Sequence, residues 1–279
     1  MRLAHAIWMF VAMLFSVASQ AAPSGSALQA AVGGSHRTAD YVQRDGARHP
    51  VATLQFFGIE PDMTVVEIWP GAGWYTEILA PLLRPRGRLY AAHFNSDSTS
   101  PFFRESRAAF EAKLAANPSV YDRVVVTRFN PPDHVDMAPP GSADLVLTFR
   151  NVHNWYMRGG GDSRVVAAFD AMFRALKPGG ILGIVDHRLP AGRPIEDQED
   201  SGYMREDYVI AMAQRAGFVL VATSGINANP RDTADHPKGV WTLPPTLRLG
   251  EVDRDRYLAI GESDRMTLKF VKPVQPRKP

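Results

Sequence analysis

Two short runs of polar and aromatic residues have the composition of a catalytic site. Residues 150–156 read Arg-Asn-Val-His-Asn-Trp-Tyr, and residues 186–188 read Asp-His-Arg. His153 could act as a general base, because the unperturbed pKa of histidine lies near neutral pH. Asp186 beside His187 could orient a base, or the two could bind a metal ion. A structured loop and a surface salt-bridge cluster are the alternatives without catalysis.

Other residues of the first run could position a ligand. Arg150 could hold an anionic substrate or fix a loop carboxylate, and Asn151 and Asn154 offer amides for orientation. Trp155 and Tyr156 could form an aromatic wall around a cation. The sequence has no H-E-x-x-H motif or similar metal-ligand spacing, so we predict no metal site. The predicted catalytic residues are His153, Asp186 and His187.

A glycine turn follows the first predicted strand. Residues 65–73 read Val-Val-Glu-Ile-Trp-Pro-Gly-Ala-Gly, a β-branched run that leads into a Gly-x-Gly turn and a helix. Glycines let the backbone approach a ligand closely, and a helix N-terminus offers free N–H donors. Glu67 could accept hydrogen bonds there or pair with a cationic ligand group. The alternative is a tight β-to-α turn with a capping carboxylate.

Charged residues at the two ends of the chain are weaker candidates. Arg44 and His49 could reach a site if an N-terminal helix covers it, although solvated helix charges are the favoured interpretation. Residues 262–265, Glu-Ser-Asp-Arg, are expected to form a turn network near the last hairpin.

Strands and helices alternate along the chain, which predicts a parallel sheet with helices on both faces. Such sheets bind ligands beyond the carboxyl ends of their strands, where the runs above lie. Residues 227–261 are rich in Pro, Asp and Arg and are expected to be irregular. The predicted strands are 64–68, 88–94, 123–129, 144–149, 181–185, 218–223 and 266–271. The predicted helices are 36–57, 74–83, 101–116, 165–176 and 204–216.

Composition excludes several classes of protein. The chain has 279 residues, a net charge of +2 and 45% hydrophobic residues, which is ordinary for a globular protein. It has no cysteine, which excludes disulfides, thiolate catalysis, cysteine-ligated zinc and iron–sulfur clusters. The near-neutral charge argues against a dedicated nucleic-acid binder. We therefore expect a small-molecule substrate as the partner.

The first residues read as a secretory signal. Arg2 is the positive start, residues 6–17 are apolar, and small residues at Ser19 and Ala21 place cleavage after Ala21. The apolar run is shorter than the roughly 20 residues that span a membrane, although an uncleaved anchor is the alternative. We therefore predict export, which in a bacterium means the periplasm. The predicted organisation is a signal at 1–21, a flexible leader at 22–35, one domain at 36–272 and a tail at 273–279.

The motifs together resemble a known family. Residues 67–73 resemble the glycine-rich first motif of class I S-adenosylmethionine-dependent methyltransferases, and residues 175–180 resemble their helix-to-fifth-strand junction. The resemblance implies a Rossmann-like α/β fold, a seven-stranded sheet with helices on both faces, and S-adenosylmethionine as cofactor. Four segments also resemble a bacterial exported group of predicted methyltransferases, in a match that covers nearly all of the mature chain. These segments are 67–76, 150–155, 186–188 and 261–265.

This resemblance assigns cofactor contacts. Glu67, Gly71 and Gly73 would hold the methionine moiety, and Asn130 could meet the adenine edge. Trp69 stands where the family's first glycine is usual, and His93 stands where an acidic residue usually binds the ribose. The cofactor-binding residues so predicted are Glu67, Trp69, Gly71, Gly73, His93, Asn130, Arg150 and Asn151.

Three functions are compatible with these residues. The leading hypothesis is methyl transfer from S-adenosylmethionine to an unidentified small acceptor, with His153 as base. A non-catalytic ligand-binding protein on a methyltransferase scaffold is the alternative, because an exported enzyme would need a supply of a cofactor made in the cytosol. Metal-assisted hydrolysis through His153, Asp186 and His187 is the third.

Overall fold

A mostly parallel sheet forms the centre of the protein in the computed structural model, which describes residues 23–274. The strands are β1 (Thr64–Ile68), β2 (Arg88–His93), β3 (Val124–Arg128), β4 (Ala143–Phe149), β5 (Leu176–Leu189), β6 (Met204–Arg205), β7 (Val219–Ser224), β8 (Pro237–Val240) and β9 (Arg265–Val271). The strand order is β3-β2-β1-β4-β5-β9-β7, and β6 pairs with the end of β5. Only β9 runs antiparallel to its neighbours on this path. The predicted fold class and the late antiparallel strand are confirmed.

Helices lie on both faces of this sheet. They are α1 (Pro23–Val32), α2 (Ala39–Val42), α3 (Asp45–Arg48), α4 (Pro50–Phe57), α5 (Thr76–Leu83), α6 (Pro101–Ala116), α7 (Pro118–Tyr121), α8 (Val152–Tyr156), α9 (Gly161–Ala175), α10 (Gln198–Ser201), α11 (Glu206–Arg215) and α12 (Arg254–Ile260), with a 3₁₀ turn at Ile195–Asp197. None of the helices in this part of the chain is both long and apolar enough to cross a membrane.

Alternate residues of the central strands face opposite sides of the sheet, so that each face has its own core. Val65 and Leu145 pack on the face covered by α1, α4 and α5. Val66 and Val146 pack on the other face, covered by α8, α9 and α11. Because both faces are buried, these strands are continuous apolar runs rather than alternating ones.

The strand order reverses between β1 and β4, and this reversal places the candidate site. The chain moves outward from β1 through β2 to β3, and β4 then returns to the other side of β1. Ile68 pairs with Thr148, and Phe149 pairs with Val185, so the loops after β1, β4 and β5 begin at nearly the same level. A crevice at the carboxyl ends of the strands is the usual ligand site of such sheets.

The N-terminal region differs from the sequence prediction in two places. Residues 23–32 form α1 instead of a flexible leader, because Leu28 and Ala31 lie on one helical face and are buried. The single helix predicted at 36–57 is three short helices. His49 has a left-handed φ of 44° immediately before Pro50, which cannot continue a helix from the preceding turn.

Strand β5 is longer than predicted at both ends and continues to Leu189, where it pairs with β6. Met204, predicted as helical, belongs to β6, and α11 starts at Glu206. The predicted signal at 1–21 lies outside the described residues, and the predicted tail is described only as far as residue 274. Cleavage and export stay predictions.

Candidate active site

A cavity of about 820 Å³ opens at the carboxyl end of the sheet. Its floor is formed by the loops after β1 and β4, and one wall comes from α2 and α3. Another wall comes from the segment between β8 and α12, which contributes Trp241 and Arg248, and from Glu262 and Ser263 before β9. The volume is in the range of small-molecule sites in proteins.

His153 and Asp186 form a hydrogen-bonded dyad at this cavity. Asp186 is fully buried, and its Oδ1 lies 2.9 Å from His153 Nδ1. The carboxylate also accepts the backbone N–H groups of His153 at 3.2 Å and of His187 at 2.8 Å. Because a carboxylate only accepts hydrogen bonds, Nδ1 carries the proton and Nε2 has the free lone pair. His153 lines the cavity, and Nε2 has no hydrogen-bond partner within residues 23–274.

His187 lies beside the dyad but has a different partner. Its ring centroid is 5.2 Å from that of His153, and its Nδ1 lies 2.5 Å from Ser263 Oγ. Burial and the neighbouring His153 lower the pKa of His187 well below its usual value, so the ring is neutral at neutral pH. The structure thus brings together all three predicted catalytic residues.

The same three residues could also hold a metal ion, since one ligand atom from each lies within 4.8 Å of the others. Asp186 already accepts three N–H groups, one of them from the His153 ring. A metal bound to both His153 Nδ1 and Asp186 would have to replace that hydrogen bond. The observed contacts therefore favour an oriented histidine over a preformed metal centre.

Arg150 and Asn151 end β4 in the manner predicted from the sequence. Both line the cavity. Asn151 donates to the Ile68 carbonyl at 2.9 Å and to Thr148 Oγ1 at 3.2 Å, which ties the ends of β1 and β4 together. Arg150 has a left-handed φ of 63°, a conformation that is strained for a residue with a side chain. Backbone strain of this kind is common at functional sites.

Glu67 lies at the end of β1 with its carboxyl group buried. It accepts a hydrogen bond from Thr76 Oγ1 at 2.6 Å, and 2% of the residue is exposed. Burial raises its pKa from 4.5 to about 7, against the opposing effects of Thr76 and Lys113. Near neutral pH the carboxyl group is therefore partly protonated.

We expect Glu67→Gln to remove one pH-dependent contribution to stability. Between pH 4.5 and 7 the folded protein holds a proton on Glu67 that the unfolded chain has lost, so this contribution is present at low pH and is lost as the pH rises through 7. The stability of wild type relative to E67Q should fall by about 3 kcal/mol across that range. Denaturant unfolding of both proteins at several pH values measures it. Effects of other groups cancel in the difference, and a flat difference would contradict the assignment.

The Trp69 indole lies on the side of the crevice that faces β2 and β3, where it lines the cavity. Its φ of 45° directs the indole across the sheet, where Nε1 donates to the Phe129 carbonyl at 2.7 Å. The indole packs against the rings of Phe94 at 4.8 Å, Trp155 at 5.8 Å, and Phe103 and Phe129, both at 6.2 Å. Trp69, Phe94 and Phe103 of this ring cluster also line the cavity, together with Ser100, Phe102 and Ser106 from the segment after β2, so the cavity extends to this side as well.

His93 and Asn130, predicted as ribose and adenine contacts, do not line the cavity. His93 Nδ1 accepts the Phe94 N–H at 2.8 Å, so Nε2 carries the proton and donates to the Gly71 carbonyl at 3.1 Å. Burial lowers the pKa of His93 to about 4, which keeps the ring neutral. Both nitrogens are occupied, and neither can bind a ribose hydroxyl. Asn130 forms a backbone bridge with His134.

The residues present therefore fit only half of S-adenosylmethionine. Glu67, Gly71 and Asn151 line the cavity where the methionine moiety would lie. Gly73 does not line it, and its φ of 82° serves a turn in which a Cβ atom would lie 3.1 Å from the Phe110 ring. On the nucleoside side the Trp69 indole lines the cavity, and the predicted ribose contact His93 is already bonded within the protein. Most of the residues predicted to contact the methionine moiety thus line the cavity, and those predicted to contact the ribose and the adenine do not.

Several other residues differ from their sequence interpretation. Trp155, expected in an aromatic wall, is fully buried in the core, and Tyr156 packs on Tyr208. Arg44 lines the cavity and His49 does not. Trp241 and Arg248 also line the cavity but were not among the residues predicted from the sequence. An aromatic ring and a guanidinium in a proline-rich loop were the features that could have indicated them.

Comparisons with known proteins identify the scaffold. No family model matches the sequence. The chain is similar to a methyltransferase that depends on S-adenosylmethionine from Aquifex aeolicus, at 20% identity over 66% of this chain and 87% of that chain, with a TM-score of 0.52. It is similar to the cyclase SpnF, at 16% identity over 89% of this chain and 93% of that chain, with a TM-score of 0.55. It is also similar to such a methyltransferase from Mesorhizobium loti, at 14% identity over 81% and 99%, with a TM-score of 0.50. At such low identities the likeness concerns architecture, and the chain has the Rossmann-like fold of class I S-adenosylmethionine-dependent methyltransferases.

Proposed function

We propose that this chain is an enzyme that uses a methyltransferase fold for proton-transfer chemistry on a small molecule, without binding adenosine. One observation carries the proposal. His153 lines the cavity, and on the side where a nucleoside would lie the predicted ribose contact, His93, has both ring nitrogens bonded within the protein. Chemistry of this kind needs no supply of S-adenosylmethionine, which suits the export predicted from residues 1–21.

In this proposal His153 is the general base. Asp186 holds the Nδ1 proton, so that Nε2 faces the cavity and accepts a proton from the bound molecule. The imidazolium that forms is stabilised by the adjacent carboxylate, as in other oriented Asp–His pairs. A positioned base of this type contributes about 10²- to 10⁴-fold to a reaction rate.

The fold is compatible with such a change of chemistry. A cyclase is among the solved structures that share it, beside methyltransferases. Function within one fold is set by the residues at the site and not by the scaffold. Here the site residues at the ends of β4 and β5 are in place, and the nucleoside contacts at the ends of β2 and β3 are absent.

Methyl transfer from S-adenosylmethionine to a small acceptor is the second candidate. It is favoured by the fold and by Glu67, Gly71 and Asn151, which line the cavity where the methionine moiety would lie. It requires the nucleoside to bind beside the Trp69 indole, without His93 as a ribose contact. A non-catalytic binding protein on the same scaffold would use the cavity without the dyad.

A thermal-shift screen of small metabolites, with S-adenosylmethionine and S-adenosylhomocysteine included, separates these functions. We expect stabilisation by compounds without an adenosyl group. Each stabilising compound is then incubated with enzyme in deuterated water, where wild type should exchange a carbon-bound proton of the compound for deuterium and His153→Gln should not. Stabilisation by the adenosyl compounds alone would favour methyl transfer. Stabilisation without deuterium exchange would favour the non-catalytic binding protein.

A further inference from the structure

Three arginines contact one carboxylate at the wall of the cavity, and a fourth arginine lies near it. Glu262 accepts from Arg44 at 2.6 Å and from Arg48 at 3.3 Å, and Arg265 lies 3.3 Å from the same carboxylate. The fourth, Arg150, has a guanidinium with no hydrogen-bond or ion-pair partner among residues 23–274, and it lines the cavity. One negative charge is thus surrounded by four positive ones.

Some of the donors in this cluster are unsatisfied. The Nη2 atoms of Arg44 and Arg48 are buried and have no hydrogen-bond acceptor among the described residues. Arg48 as a whole is only 2% exposed. Buried polar groups in folded proteins are nearly always hydrogen-bonded, and a charged one without a partner is costly. Both arginines line the cavity, so an acceptor entering it can reach them.

The charges in this cluster also favour the binding of an anion. Burial is the main cause that lowers the pKa of Arg48 to about 9, and the positive charge of Arg150 is the second cause. Burial also lowers the pKa of Arg150 to about 10. Burial alone would raise the pKa of Glu262. The positive charges of Arg48, Arg265 and Arg44 outweigh this effect and lower the pKa from 4.5 to about 2. Arg48, Arg150 and Glu262 therefore stay charged at neutral pH, and the two positive charges outnumber the negative one.

We infer that the molecule bound in this cavity carries a carboxylate or a phosphate, which binds to Arg150 and Arg48. This inference rests on the proposed function and names its substrate class. Arginine pairs bind both anions through two parallel hydrogen bonds, so the shared chemistry is a planar or tetrahedral oxyanion. Arg150, Arg265 and Arg48 all act on His187, beside the dyad, so the anion would lie close to the base.

Arg150→Gln tests the inference, because this substitution removes no hydrogen bond or ion pair among residues 23–274. Unfolding of wild type and variant is followed by circular dichroism in added phosphate, and separately in added malonate, with sodium chloride at matched ionic strength as the reference. We expect at least one of the two anions to stabilise wild type, and its affinity to fall by about tenfold or more in R150Q. Without anion, R150Q should be at least as stable as wild type, because the cost of a half-buried charge near Arg265 and Arg44 outweighs its attraction to Glu262 and is gone in the variant.

Arg215→Gln is the matched control, since Arg215 is exposed and pairs only with Asp162 and Met212. It should respond to anions like wild type. Stabilisation by phosphate alone or by malonate alone identifies the type of anion. Equal anion affinities in wild type and R150Q, or no response to either anion beyond that to chloride, would overturn the inference. Neither result depends on adenosyl binding, so failure here is distinct from failure of the proposed function.

Discussion

Replacing Asp186 with alanine should lower the free energy of unfolding by about 3–5 kcal/mol, because each buried donor that is left without an acceptor costs about 1–3 kcal/mol. The carboxylate is fully buried and accepts three N–H groups, two of them from the backbone. The substitution leaves all three without an acceptor, and each unsatisfied donor is costly. Urea denaturation at neutral pH measures the loss.

Asp162→Ala is the control, because Asp162 is about half exposed and bonds Tyr208 and Arg215 near the surface. It should cost much less. Nitrogen NMR of the histidines adds a readout that stability alone does not give, since His153 should be protonated at Nδ1 in wild type and should lose this preference in Asp186→Asn. A loss below about 1 kcal/mol in D186A, within the range of ordinary substitutions, would show that the dyad is not a buried hydrogen-bonded unit.

The second large effect is expected at Trp69. We expect Trp69→Gly to lower the free energy of unfolding by about 2–3 kcal/mol. Removing a packed tryptophan costs about 3–5 kcal/mol when it is fully buried, and Trp69 is only partly buried. Glycine at a φ of 45° relieves about 1 kcal/mol of backbone strain. The measurement is again denaturant unfolding.

Phe102→Ala is the matched control in the same group of rings. Phe102 lies next to Phe94 and Phe103 but is 67% exposed. Its loss should change stability by about 0.5 kcal/mol or less. If W69G were as stable as wild type, the indole would not be held in the ring cluster, and the space assigned to it would be available to a ligand.

The sequence predicted the sheet well because buried parallel strands are short apolar runs between breakers. Residues 64–68 coincide with β1, and the runs that became β2, β3 and β4 are correct to within one residue at each end. Helix α1 was missed, since its Ala, Ser and Gly content resembles that of a linker, and only the burial of Leu28 distinguishes the two. That burial depends on α5, which is distant in sequence.

The site was predicted in part for the same reason. Residues at the carboxyl ends of parallel strands meet, which places His153 beside Asp186 without any knowledge of side-chain directions. The direction of the Trp69 indole could not be predicted, because it depends on a left-handed backbone angle and on the Phe129 carbonyl. The contacts of Arg44 and Arg48 with Glu262 join residues more than 200 positions apart, and no local pattern signals them.

The direction of that indole decides what the scaffold can bind. In the structure the indole donates to the Phe129 carbonyl, packs against Phe94 and lines the cavity on the side of β2 and β3. The chain thus combines a methyltransferase fold with a cavity lined by the hydrogen-bonded His153 and by Arg150, whose guanidinium has no partner among residues 23–274.

Calorimetric titration of the pure protein, lacking residues 1–21, with S-adenosylhomocysteine tests this account most directly. This compound carries the adenosine and the amino-acid part of the cofactor without the reactive methyl group. We predict no saturable heat up to millimolar concentration. Saturable binding at micromolar concentration, accompanied by a change in the fluorescence of Trp69, would show that the nucleoside side opens and would contradict the account.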